Sequence, residues 1–255
     1  MNNYCYVHPV HLFNINQDGT LKNLKHTKTL ISLALLCASG IATANQPNLS
    51  FVELGYGQTK VDDFFEDDSF SGFNLGASFE LNEDWYVPVS YYLHTGENTE
   101  NVFLEDTGFR QEINMKTSVD FSLLSIGLGH QFSVADNAIL TVDVNYLQVK
   151  AKVKGSGNVI FSQDGELVFG EDFSTSASET EDGLSARAIY RNSFTDNVQF
   201  NLGIQHSVIR IDSETTSDTA GIIEGLYHFN DAFSLKLSAT IGEDQLLVAS
   251  ARYSF

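Results

Sequence analysis

The chain has little cysteine, proline or tryptophan: two, three and one, respectively, in 255 residues. Both cysteines, Cys5 and Cys37, fall in the first 44 residues, which the sequence marks as a leader. The mature part therefore has no disulfide framework, and packing and backbone hydrogen bonds must hold it together. Cations are scarce as well, with 14 Lys and Arg against 33 Asp and Glu and a net charge of −19. That balance argues against a nucleic-acid partner, which requires a basic footprint. Long apolar runs are missing too. The longest candidate, Leu30 to Ala38, is far short of the ~20 residues a membrane helix needs.

What that short run does fit is an export signal. Lys22, Lys25 and Lys28 precede it and Ala42-Thr43-Ala44 follows it. A basic start, a short apolar middle and small residues at −3 and −1 predict a signal peptide over 21–44, cut before Asn45. Cys37 is no lipidation site, because Leu36 before it is too large for that processing. Residues 1–20, with Cys5, His8, Pro9 and His11, do not read as part of a signal. The only later methionine is Met115. Residues 1–20 are therefore expected to be a mis-assigned extension, with the start at a non-standard codon written as Leu21. The mature domain, 45–255, then has 211 residues, 11 basic and 32 acidic side chains and a net charge of −21. That is the size of one domain.

From Leu49 onward the hydropathy alternates with period two, the mark of strands with one apolar face. Strands are predicted over about 49–60, 70–81, 85–95, 117–132, 138–153, 183–194, 198–211, 219–230 and 233–242, with a tenth running to Phe255. In the fourth, Phe121 and Leu123 are out of phase with Leu124, Ile126 and Leu128, which predicts a bulge. Pro88 sits inside the third and has no N–H to give a ladder, which predicts a bulge or a gap with its ring turned inward. Short turns (82–84, 133–137, 195–197 and 230–232) alternate with longer links (61–69, 96–116, 154–182 and 212–218) and a brief one near Glu243-Asp244. In the longest link, Ile160-Phe161 and Leu167-Val168-Phe169 flank Asp164-Gly165, a hairpin signal. The arms, about five residues or ~17 Å each, are too short to span a bilayer, so the hairpin is expected to stand above it.

The end of the chain, Ala251-Arg252-Tyr253-Ser254-Phe255, resembles the closing strand of Gram-negative outer-membrane barrels. Phe51-Val52-Glu53-Leu54-Gly55-Tyr56-Gly57 and Phe73-Asn74-Leu75-Gly76 resemble the small barrels of the OmpA-like and porin-like family. The resemblance implies an all-β, closed, antiparallel up-and-down transmembrane β-barrel of about ten strands, with eight as the alternative. It also implies an outer-membrane location reached through the periplasm, and a blocked or narrow lumen. Tyr253 and Phe255 would form the insertion signal read by the barrel-insertion machinery, with periplasmic chaperones as earlier partners. The residues agree with this. Aromatics on the apolar face fall near both strand ends, as interfacial girdles do. Short turns on one side and longer loops on the other match the two sides of an outer membrane.

The polar face is expected to fill the lumen. Its charges, Glu53, Glu80, Asp143, Arg187, Arg191, Glu224, Lys236 and Arg252, are expected to pair, because a buried ion without a partner is costly. The resulting expectation is a structural or surface-interaction protein with a filled lumen. Two alternatives stand beside it: a narrow porin-like channel, and an enzyme acting on lipid A or peptides. No catalytic residue, cofactor or metal is assigned. His94, His130, His206 and His228 have no metal-ligand spacing. His206-Ser207 invites comparison with His-x-Ser lipid A deacylases, but adjacent residues point to opposite faces of a strand. Asp62-Asp63 and Asp67-Asp68 invite comparison with omptin proteases, but their whole loop is acidic. The acidic loops read as solvated surface more readily than as Ca²⁺ or Mg²⁺ sites beside lipopolysaccharide, since none has an EF-hand pattern. The expected lasting partners are outer-membrane lipid and lipopolysaccharide.

Overall fold

Alternating residues point to opposite faces of a strand, and in this chain every strand has a stretch with one apolar face. Such a sheet can leave water with its apolar face only by surrounding itself with hydrocarbon or by packing on a second layer. The computed structural model of the chain takes the first route. It describes residues 46–60, 69–106, 109–163, 166–211 and 214–255. The expected extension 1–20, the signal peptide 21–44, residues 61–68 with their acidic pairs, and the Asp164-Gly165 turn lie outside the described residues.

Ten strands follow in order: β1 Phe51–Lys60, β2 Ser69–Glu80, β3 Trp85–Asp106, β4 Phe109–Ala135 and β5 Ala138–Gln163, then β6 Glu166–Thr195, β7 Val198–Ile211, β8 Glu214–His228, β9 Phe233–Ile241 and β10 Gln245–Ser254. Each pairs antiparallel with its neighbour, and β1 closes on β10 from Phe51–Ser254 to Lys60–Gln245. Closure removes the open edges, as hydrocarbon demands, because an unpaired N–H or C=O has no partner there. Outward side chains such as Phe73, 61% exposed, and Leu247, 60% exposed, are therefore placed for lipid.

Rings gather where the strands meet the short turns. Phe255 lies 6.0 Å from Phe79, and Tyr253 5.1 Å from Phe233. His130 stands between Trp85, at 4.8 Å, and Phe132, at 4.4 Å. Toward the loops, Tyr56 meets Phe73 edge-on at 5.6 Å.

The structure departs from the predicted elements in four places. First, β3 to β6 run 22 to 30 residues, so most of links 96–116 and 154–182 is strand. Polar residues on both faces hid this, since out in water neither face has to be apolar. Second, the arms 160–161 and 167–169 pair as expected, but they do so as the tips of β5 and β6 and not as a separate hairpin. Third, β4 keeps one register past Phe121 and Leu123. They are inward residues of a continuous strand, in phase with buried Val119 and Ser125, and the expected bulge is absent. Register shifts occur instead at Ser133/Ala135, Phe161/Ser162 and Ser193/Thr195. Fourth, β8 begins at Glu214, which shortens link 212–218. Pro88 is buried and inward, opposite Ser78. On its β4 side the pairing steps from Tyr86–Gly129 to Val89–Ile126 with the register unchanged, a gap and not a bulge.

Candidate functional site: the lumen

The inward face of the barrel carries a chain of charges. On β1, Glu53 accepts from Arg252 of β10 (Nη2, 2.8 Å; Nε, 3.0 Å) and from Lys236 Nζ of β9 at 2.5 Å. Lys236 also lies 3.7 Å from Glu224 Oε1 of β8. The other Glu224 oxygen accepts from Asn201 of β7 at 2.7 Å and faces Arg191 Nη1 of β6 at 3.5 Å. Arg191 Nε then donates to Thr141 Oγ1 of β5 at 3.3 Å. The line of contacts thus runs without a break from β1 round to β5. The guanidinium of Arg252 also lies 3.6 Å over the Phe51 ring, a cation–π contact.

A second cluster centres on Asp143, 1% exposed. It accepts from Arg187 Nε at 2.8 Å, Asn145 Nδ2 at 2.6 Å and the Tyr86 hydroxyl at 2.8 Å. Tyr86 reaches it from β3, past β4, because Gly129 on β4 has no side chain; a Cβ there would collide with the Tyr86 ring. Likewise a Cβ on Gly76 would stand 2.6 Å from Cγ of Glu53. These two glycines make the room that the long lumen side chains fill. Farther toward the loops, His94 is 1% exposed between Thr59 Oγ1 at 2.8 Å and Asn74 Oδ1 at 3.0 Å.

The chain entering β1 covers the turn-side mouth. Leu49, 1% exposed, clusters with Tyr86 and Ile139, and Gln46 Nε2 donates to Ser133 Oγ at 3.2 Å. Leu49, assigned by its hydropathy to the first strand, is instead part of this cover.

Of the eight charges singled out in the sequence, Glu53, Asp143, Arg187, Arg191, Glu224, Lys236 and Arg252 stand in ion pairs. Glu80 does not. It sits exposed at the turn end of β2, where its carboxylate accepts from Ser50 Oγ at 3.3 Å, and water there solvates it without a cation. Tyr253 and Phe255 lie in the turn-side ring of aromatics, 6.3 Å apart, and the Phe255 N–H donates to the Ser50 carbonyl at 3.1 Å. His206 and Ser207 do point apart: His206 bonds Thr219 on the outside at 2.8 Å, and Ser207 accepts from Gln205 on the inside at 2.9 Å.

Sequence reasoning missed Tyr86, Thr141, Asn145 and Asn201. Their inward phase was readable, and so were the glycines at 127 and 129, beside Asn145 and Tyr86 respectively. Which side chains met across the lumen was not.

The family profile described as "Outer membrane protein beta-barrel domain" matches residues 29–222. Among solved structures, the chain is similar to Ail, the attachment invasion locus protein of Yersinia pestis, at 20% identity and a TM-score of 0.35, over 82% of this chain and 100% of that one. It is similar to the KdgM porin in complex with disordered oligogalacturonate, at 9% identity and a TM-score of 0.38, over 80% and 99%. Neisserial surface protein A aligns at 14% identity and a TM-score of 0.28, over 80% and 96%. No curated protein sequence matches. With ten strands in a closed ring and the profile covering most of its length, the chain belongs to the outer-membrane β-barrel family, and its location is the outer membrane.

Proposed function

We propose that this protein is a non-enzymatic barrel with a structural or surface-interaction role and a lumen filled by its own side chains. The observation that supports this most is the chain of buried contacts from Glu53 through Lys236, Glu224 and Arg191 to Thr141. Barrels of about eight strands have interiors just wide enough for side chains to fill, and ten adds little room. Leu49 and Gln46 over the turn-side mouth add a second obstruction. The working surface is then the part of β3 to β6 that rises past the barrel. The lasting partners are outer-membrane lipid and lipopolysaccharide. The insertion machinery and periplasmic chaperones act during biogenesis, after export on a signal peptide over 21–44.

Planar-bilayer recording of the refolded chain tests the closed lumen. Silence is expected, and steady open-channel steps would overturn it. Incubation with lipid A and with peptides tests the non-enzymatic part, with both expected back unchanged.

One observation favours a narrow channel as the second reading. Asn74 Nδ2, Ser78 Oγ, Ser234 Oγ and Ser250 Oγ are buried without a protein partner. These inward polar atoms on β2, β9 and β10 suit a thin file of water. Small steady steps from the native chain that grow in Glu53→Gln would favour this reading, with the network as the constriction.

A further inference from the structure

The distribution of cations over the barrel is uneven. Arg187, Arg191, Lys236 and Arg252 are inside, committed to carboxylates. The rest of the Lys and Arg in the described residues, Lys60, Arg110, Lys116, Lys150, Lys152, Lys154 and Arg210, all lie toward the loops. Among the described residues, the exposed charges of the turn side are acids, such as Glu83, Asp84, Asp136 and Asp231.

Three of these cations form a column on one strand. Lys150, Lys152 and Lys154 alternate along β5, each exposed on the outward face that carries Val142, Val144 and Tyr146 lower down. Tyr146 is the last outward aromatic on β5 below the lysines. At ~3.3 Å per residue, Lys150 is ~13 Å up the strand from Tyr146 and Lys154 ~26 Å. A strand tilted by ~45° lowers those figures to heights of ~9 and ~19 Å. The column therefore starts at headgroup level and climbs out of it, and long lysine stems let the lower ammonium groups reach down.

Its flanks are hydroxyls, apart from Asp120. Across the β6 ladder, Thr180, Ser178 and Ser176 stand opposite Lys150, Lys152 and Lys154. Across the β4 ladder their partners are Ser122, Asp120 and Ser118. Asp120 is taken up by Lys154 at 2.9 Å, and Glu97 by Lys116 at 2.8 Å. Asp182, the other outward acid nearby, hydrogen-bonds the Tyr146 hydroxyl. Among the described residues, Lys150 and Lys152 make no ion pair. In a chain with a net charge of −19, two exposed lysines without an ion pair, Lys152 with only the shared Asp120 opposite it, stand at the height of the lipid headgroups and can meet an anion from outside.

We propose that this outward face of β4 to β6 binds the phosphate groups of a glycolipid in the outer leaflet, with Lys150 and Lys152 meeting the phosphates and the Ser/Thr columns meeting sugar hydroxyls. The proposal rests on the reading of lipopolysaccharide as a lasting partner and assigns it a site.

The test uses the full chain refolded into phosphatidylcholine vesicles doped with lipid A carrying two phosphates. Lipid A retained per barrel after detergent exchange is counted by mass spectrometry. Each lysine near an anionic surface contributes about one power of ten or somewhat less. The double variant Lys150→Gln/Lys152→Gln is thus expected to retain lipid A roughly 30-fold more weakly, while Arg110→Gln, at the far tip of β4 and well above the headgroups, retains it as the native chain does. Dephosphorylated lipid A is expected to be lost from the native barrel. Equal retention by the double variant, equal retention of dephosphorylated lipid A, or displacement by millimolar inorganic phosphate would each overturn the proposal. A native heat-induced gel shift certifies that each variant is folded, as exposed Lys→Gln changes allow. A silent barrel without lipid A selectivity sinks the lysine column alone, and a conducting barrel with selectivity sinks the closed lumen alone.

Discussion

Arg252–Glu53 in the lumen and Lys116–Glu97 on the outer sheet are both 2.8 Å ion pairs. Their surroundings differ. The lumen side chains are 4% and 15% exposed, and those of the outer pair 53% and 56%. A contact of one length therefore has two meanings. In the lumen the charges have given up water, so each depends on the other and on further partners; Glu53 holds two cations. On the outer sheet water and salt screen the attraction, and holding two long side chains in one arrangement offsets most of it. Distance reports geometry, and burial decides what the geometry is worth.

Glu53→Ala should have the largest effect. It leaves Arg252 and Lys236 without their main partner in a water-poor lumen, which costs about 3–5 kcal/mol. Urea unfolding of the refolded barrel reads this, and a loss under about 1 kcal/mol would erase the contrast drawn above. Tyr86→Phe removes one donor from buried Asp143 and should cost about 1.5–3 kcal/mol. Gly129→Ala pushes a methyl into the Tyr86 ring and should cost about 1–3 kcal/mol. In Tyr86→Ala/Gly129→Ala that penalty should fall away, a strong departure from additivity. On the outer sheet, a double-mutant cycle on Lys116 and Glu97 should return no more than ~0.5 kcal/mol and lose it in 1 M salt.

The smallest effect is pH-dependent. The hydrogen bond from Lys154 holds the Asp120 carboxyl below the ordinary 3.8. A lowered folded value stabilises the protein above the unfolded value, and this is lost as pH falls through the folded one. Asp120 is an exposed group, so the gap between the native chain and Asp120→Asn should be a few tenths of a kcal/mol near pH 6. It should close near pH 2, as unfolding at the two pH values will report.

Most of the barrel was legible in the alternation, and the misreadings share one cause. Phe121 and Leu123 seemed out of phase because an apolar residue was assumed to face lipid; in fact the inner wall near the loops is apolar too, with Val119 and Leu147 buried. Glu80 seemed to belong with the lumen charges because it shares their phase. Phase gives the face and not the depth, and Glu80 lies at the rim. The upper halves of β3 to β6 went unread because strands in water owe neither face to lipid.

The sequence by itself determined the two-faced strands and which charges turn inward, while their number, ten and not eight, came with the closed ring. The faces follow from the two-residue repeat of an extended backbone, a local property. The tertiary structure decided that β1 meets β10, that Tyr86 reaches Asp143 past Gly129, and that Leu49 covers the mouth. These depend on how far each strand is staggered against the next round a closed ring. That stagger is set by all ten strands together, so no single stretch of residues encodes it.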